Sequence, residues 1–239
     1  MTTHRVGTRE EWLEERVQLL AEEKALTRQS DALARQRQGL PWVPVEREYT
    51  FDSADGKRTL RDLFGGHSQL LVYHFMFGPD DEAGCPGCSF TVDSLDGDVV
   101  HLNHHDVAFV AVSRGPLERL HAYRRRMGWS FPWVSSLDDF NVDFAVFTDE
   151  ERRSGSGFNF GTGRHADMNV RTTELHGLSA FVLSDGVVHH AYSCYDRGTD
   201  VLSGTWQLLD RAPKGRGDGP EGWPHRHDEY EAAVSGART

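Results

Sequence analysis

Apolar positions follow two rhythms along the chain, and the change between them falls near residue 40. Leu13, Val17 and Leu20 share one helical face, Leu19, Leu26 and Leu33 recur every seven residues, and neither Pro nor Gly interrupts the run before Gly39-Leu40-Pro41. Thr8-Arg-Glu-Glu11 has the form of a capping box. The pattern predicts a helix of about 30 residues, roughly 45 Å long. That exceeds what a small domain's core can use, so the helix is expected to pack across the body or against a second subunit, forming a homodimer. A solvated charged face is the alternative for its N-terminal half.

Beyond residue 40 the periods shorten. Pro41-Trp-Val-Pro44 reads as a stiff linker, Tyr49-Thr-Phe51 as a short strand turning at Ala54-Asp55-Gly56, and Thr59 to Phe64 as a short helix closed by Gly65-Gly66. Apolar runs at 69–77 and 106–113 predict strands, with a helix between them reaching to about residue 100. Pro116 to Met127 predicts a helix with Pro in its first turn, ended by Gly128. Strand, helix, strand, helix makes a parallel unit with a right-handed crossover. Trp129, Phe131 and Trp133 are expected in the core. Leu178 to Leu183 and Val187 to Tyr192, joined by Ser184-Asp185-Gly186, form the clearest hairpin. Asp200 to Leu209 predicts a final helix, and Pro213 to Tyr230 an irregular surface tail in which His225 and His227 are solvated. Glu150 to Gly163 reads as an inserted surface loop; it is not a phosphate loop, because it lacks both the Lys-Ser/Thr ending and a preceding apolar strand. The expected organisation is a helical extension (1–40), an α/β domain (41–212) with an insertion near 150–170, and a tail (213–239).

Charge and cysteine usage narrow the partners. Against 26 Lys and Arg stand 37 Asp and Glu, a formal charge of -11 over 239 residues, so nucleic acid and anionic membrane are poor partners. No apolar run approaches the roughly 20 residues that span a bilayer, and the polar start has no signal-peptide core. A cytoplasmic location is the expectation. Three cysteines do not make a disulfide scaffold; in a reducing compartment they suggest a working pair and one odd thiol, Cys194.

The pair is Cys85-Pro-Gly-Cys88, which follows the 69–77 run where a strand would hand over to a helix. That is the thioredoxin-like placement of a redox or metal-binding pair. On a helix's first turn the leading sulfur lies near unpaired backbone N–H groups and the trailing one can reach back to it. Cys85 therefore reads as the attacking thiol and Cys88 as the resolving one. Asp80, Asp81 and Glu82 would oppose ionisation if they faced the sulfurs. Two buried small residues are the plain alternative. Cys85, Cys88, His101 and His105 also have the spacing of a two-Cys, two-His zinc finger. One helix through this segment would hold Cys88 and His101 about 20 Å apart, and the finger's core positions would fall on Val92 and Asp98. Only a break at Asp96-Gly97-Asp98 could join them, and because the protein is also strongly acidic and the segment sits inside a larger fold, the finger reading is rejected.

Several ordered motifs carry a resemblance: Cys85-Pro-Gly-Cys-Ser89, Ser113-Arg-Gly-Pro-Leu117, Arg126-Met-Gly-Trp129, Trp133-Val-Ser-Ser136, Phe140-Asn141, Tyr192-Ser193, Arg197-Gly198 and Leu209-Asp210. Over most of residues 10 to 230 the chain resembles the DUF899 family, whose members are described as thioredoxin-like and as predicted dithiol–disulfide oxidoreductases. The resemblance implies a thioredoxin-like central sheet; with the elements read above, the expected fold is α/β, that sheet flanked by helices, with a long N-terminal helix and an irregular C-terminal tail. It also implies Cys85 and Cys88 as the thiol pair, acting on a small-molecule or protein disulfide and reset by an external thiol reductant, with no cofactor required. Arg114 becomes a candidate catalytic cation near the sheet end, with a structural salt bridge as the alternative.

One departure concerns the loop before the third central strand, where thioredoxins carry a cis-proline and this chain reads Thr173-Glu-Leu-His176-Gly-Leu178. In such a fold His176 would lie beside the thiols and complete a two-Cys, one-His site, similar to the copper site of Sco-type proteins. Cys85, Cys88 and His176 would suit Cu(I), or Zn(II) with an added water; a loop His bonded to backbone is the alternative. His101, His104, His105, His189 and His190 are second-choice ligands. Three readings follow: a dithiol oxidoreductase, a copper or zinc protein, and a non-catalytic scaffold dimerising through the first helix.

Overall fold

The computed structural model describes residues 5–137, 140–145, 159–160, 174–217 and 222–230. The chain forms two compact units, Met1–Pro41 and Trp42–Thr239. In the first, α1 (Arg9–Gln38) begins with the expected capping box: the Thr8 hydroxyl accepts from the Glu11 N–H at 3.2 Å, and the Glu11 carboxylate accepts from the Thr8 N–H at 2.7 Å. Two orphan donors of the helix start are thereby satisfied. Glu10 and Glu11 in the first turn and Arg35 and Arg37 in the last complement the helix dipole. No residue of α1 is buried.

The second unit is built on eight strands: β1 (Val43–Pro44), β2 (Thr50–Ser53), β3 (Gly56–Thr59), β4 (Gln69–His74), β5 (Val107–Ser113), β6 (Trp133–Ser136), β7 (Gly177–Ser184) and β8 (Val187–Tyr195). They form one sheet in the order β1-β8-β7-β4-β5-β6-β2-β3. β4 and β5 are parallel, in register from Gln69 opposite Val107 to His74 opposite Val112. The crossover between them carries α2 (Pro86–Leu95), a 3-10 turn (Asp96–Asp98) and α3 (Val99–His104). α4 (Leu117–Met127) leads from β5 to β6, which is again parallel, and Gly128 ends that helix at φ 72°, where a side chain would be strained. β7 and β8 make an antiparallel hairpin, and β7 lies antiparallel along β4. Two parallel strands joined by a helical crossover, followed by a hairpin added to the first of them, constitute a thioredoxin-like sheet. The short helices α5 (Phe140–Ala145) and α6 (Gly204–Leu209) and 3-10 turns at Asp62–Phe64, Asp196–Leu202 and His227–Glu229 complete the described elements.

Both faces of the central strands are covered, which is why β4 and β5 read as apolar runs and not as alternating ones. On one face Tyr73, Phe75, Phe77, Cys88, Phe109 and Trp133 pack together with Tyr123 and Trp129. On the other lie Phe51, Phe64, Leu70, Val72, Val110, Phe140 and Phe181. Trp129, Phe131 and Trp133 are core residues, as expected.

Several elements differ from expectation. β4 ends at His74, although Phe75 and Phe77 beyond it are still fully buried. The 41–44 linker contributes an edge strand, β1, opposite His189 and His190. The expected helix to residue 100 breaks at Asp96–Asp98, where the Asp96 carboxylate accepts from Ser130 N–H (2.8 Å), Ser130 O–H (2.9 Å) and Phe131 N–H (3.1 Å). The final helix is split into a 3-10 segment, Asp196–Leu202, and α6, with Ser203 extended between them. Of the 150–163 insertion only Asn159 and Phe160 are among the described residues. No helix among the described residues is long and apolar enough to cross a membrane.

Candidate functional site

The loop that leaves β4 delivers residue 85 to the start of α2. Cys85 occupies the cap position, and Pro86 stands at the first helical position, where its missing N–H costs nothing. Gly84 precedes them because nothing larger fits: a Cβ there would come within 2.6 Å of the Tyr123 ring and 2.7 Å of the Phe75 ring. The Cys85 N–H donates to the Met76 carbonyl at 3.2 Å, and its own carbonyl accepts from the Ser89 N–H (2.9 Å) and hydroxyl (2.8 Å). The Ser89 hydroxyl also shares a 2.9 Å hydrogen bond with Tyr123. The turn is thus fixed from α2, α4 and the β4 loop together.

The two sulfurs sit in unequal surroundings. Cys85 is half-buried, Cys88 is buried, and both are free thiols. The Cys88 thiol donates to the Cys85 sulfur, and with the Gly87 and Cys88 backbone N–H groups and the Arg226 guanidinium this outweighs burial, holding Cys85 down at about 6. Cys88 is pushed well above the usual thiol range by burial first, then by the anionic character of its neighbour. The Met76 N–H and the Tyr73 hydroxyl face the Cys88 sulfur and act in the opposite direction. Asp80, Asp81 and Glu82 are exposed, and Asp81 is drawn back to the Gly78 N–H at 2.7 Å.

Arg226 was not foreseen. Its Nε and Nη2 donate to the Gly84 carbonyl at 3.0 and 2.7 Å, across 142 residues of sequence. Glu229 accepts from Arg226 Nη1 at 2.8 Å, Asp228 takes both Nε and Nη2 of Arg126 at 2.6 and 2.9 Å, and His227 meets Asp93 at 2.9 Å. His227 therefore pairs with a carboxylate of α2 instead of being simply solvated. The only hint in the sequence is the charged run Arg226-His-Asp-Glu229 within a Gly- and Pro-rich stretch.

Arg114 pairs through Nη1 with Glu174 Oε1 at 3.1 Å, and that carboxylate is only 5% exposed. His176 is half-buried in the same loop as Glu174. Among the described residues no three His, Cys, Asp or Glu side chains cluster as a metal ion would require. The structure thus does not bring His176 together with Cys85 and Cys88 as a ready ligand set, nor His101 and His105. Cys194 lies half-buried on β8, against the core face that holds the thiol pair.

A second polar group crosses the sheet behind the site. His74 Nε2 bonds the Ser179 hydroxyl at 2.8 Å, Ser179 bonds Ser193 at 2.8 Å, and Ser193 bonds His190 Nε2 at 2.7 Å. Burial drives His74 down to about 3, so it remains a neutral imidazole in the fold.

The fold and the thiol turn define a thioredoxin-like protein with two cysteines at the opening of its crossover helix. The family model for DUF899, described as a bacterial protein of unknown function, matches residues 1–230, and the chain belongs to that family. No curated protein matches it. The solved structures similar to it include a cysteine-to-serine mutant of peroxiredoxin Q from Xanthomonas campestris, at 16% identity, covering 71% of this chain and 95% of that one with a TM-score of 0.44. Peroxidoxin BcpB from Mycobacterium tuberculosis is similar at 12% identity, with 71% and 96% covered and a TM-score of 0.43. Thioredoxin peroxidase I of Plasmodium yoelii is similar at 14% identity, with 77% and 97% covered and a TM-score of 0.42.

Proposed function

We propose that this protein is a thiol–disulfide oxidoreductase in which Cys85 attacks a substrate disulfide and Cys88 resolves the product. The observation that carries the reading is the asymmetry of the pair. Cys85 is half-buried and ionises at about 6, whereas Cys88 is buried and held protonated. The Cys85 thiolate forms a bond to one substrate sulfur as the other leaves as a thiolate and takes a proton from solvent. Cys88 then attacks the Cys85 sulfur, the 85–88 disulfide forms, and the second substrate sulfur departs as a thiol. Two electrons have passed from the dithiol to the substrate, and an external thiol reductant returns the pair to its starting state. No metal is required for these steps, and Arg114, tied to Glu174, shapes the neighbouring loop.

Replacing Cys88 by Ser removes the resolving sulfur, so a mixed disulfide at Cys85 should accumulate with a small-molecule or protein disulfide and be released by excess thiol. Peptide mapping by mass spectrometry locates it. Failure to trap any adduct at Cys85 with disulfide or peroxide would refute the reading.

A further inference from the structure

Tyr73 stands behind the pair on β4. Its side chain is fully buried, and its hydroxyl faces the Cys88 sulfur and Thr91 without closing a well-formed hydrogen bond to either. The Thr91 hydroxyl is already engaged, donating to the Gly87 carbonyl at 3.1 Å and sharing a 2.8 Å bond with Ser203. A buried hydroxyl left unpaired costs free energy in the resting state. A sulfur that becomes an anion during the reaction would give it a partner.

We propose that the Tyr73 hydroxyl is the donor that stabilises the Cys88 sulfur as it becomes the attacking thiolate that resolves the mixed disulfide at Cys85. This inference rests on the dithiol reading. Once Cys85 carries a substrate sulfur it is no longer an anion, so the lesser of the two effects that keep Cys88 protonated disappears and burial, the larger, still opposes its ionisation. Two groups beside Cys88 can then donate to it, the Met76 N–H and the still unpaired Tyr73 O–H. The backbone donor belongs to the chain, whereas the phenol is removable. Burial raises Tyr73 well above its usual range, so it stays protonated and able to donate. In the step itself the S–S bond between residues 85 and 88 forms, the bond from Cys85 to the substrate sulfur breaks, and the proton lost by Cys88 ends on the departing thiolate.

Removing a hydrogen bond to a charged sulfur should raise the Cys88 ionisation in the mixed disulfide by about one pH unit. The thiolate fraction near pH 7 then falls about tenfold while its intrinsic nucleophilicity rises about threefold, for a net loss of roughly three- to fourfold. Above both inflections the variant should match the parent or exceed it.

The test uses the full chain carrying Cys194→Ser, with and without Tyr73→Phe, and one equivalent of 5,5′-dithiobis(2-nitrobenzoate). The first thionitrobenzoate released reports attack by Cys85 and the second reports resolution by Cys88. Tyr73→Phe should leave the first phase within about twofold and slow the second near neutral pH, with its inflection moved up. A fluorinated tyrosine at position 73, a stronger donor of nearly the same shape, should move the inflection down. A second phase unchanged in rate and inflection, or slowed equally at every pH, overturns the proposal. A first phase missing from the parent protein would refute the dithiol reading itself, and this inference with it.

Discussion

The ionisation of Cys85 gives the most quantitative expectation. Near pH 7 a thiol ionising at about 6 is about 90% thiolate, whereas one at the ordinary 9.0 is about 1%, a roughly ninetyfold difference. Lower basicity returns most of it: with a Brønsted slope of ~0.4–0.5 over three pH units, each thiolate is about 16 to 32 times less nucleophilic. The net advantage at neutral pH is only about three- to sixfold. A single rate is therefore a poor test, and the shape of the profile is a good one. Iodoacetamide alkylation of Cys85 in a Cys194→Ser chain, followed from pH 4 to pH 10, should inflect near 6. Replacing Cys88 by Ala removes the S–H donor and should move the inflection up by more than one pH unit. An inflection between 8.5 and 9 in the parent protein, or one that ignores the Cys88→Ala change, would refute the electrostatic reasoning.

Two further outcomes follow from neighbouring groups. Replacing Arg226 by Leu should raise the Cys85 inflection by less than Cys88→Ala does, because the guanidinium is the smaller contributor. Losing its two bonds to the Gly84 carbonyl should also cost about 1–3 kcal/mol in urea denaturation. His74 contributes one component of acid sensitivity: a histidine at 6.5 unfolded and about 3 folded favours the unfolded chain as pH falls below 6.5. Between about pH 7.5 and 4.5 that amounts to about 2.7 kcal/mol of lost stability. A His74→Leu chain should lack this component, so the gap between the two stability–pH curves should narrow or reverse by that amount. Parallel curves would contradict the burial argument.

The parts of the fold that show in the sequence are those whose side chains carry the signal. β4, β5 and the β7–β8 hairpin are apolar runs closed by turn residues, and α1 announces itself through Thr8 and Glu11. The elements that do not show are held by backbone pairing. β3 reads Gly-Lys-Arg-Thr, with no apolar alternation, and exists through its register with β2. β1 contains Pro44, which donates nothing, and survives only at the sheet edge. β6 is half serine, yet every residue is buried, with Ser135 donating to the Gly115 carbonyl at 2.7 Å. The thiol pair was legible because its chemistry fixes a local spacing. Arg226 was not, since nothing periodic links a tail residue to Gly84, and Tyr73 looked like one more apolar position in a buried strand.

Redox titration of the intact chain tests the central claim most directly. After equilibration in glutathione buffers of graded ratio and quenching by alkylation, Cys85 and Cys88 should pass together and reversibly from two free thiols to one internal disulfide. Cys194 should remain a thiol throughout. Cys85 and Cys88 staying separately alkylatable at every ratio, or either one pairing with Cys194 instead, would contradict the account.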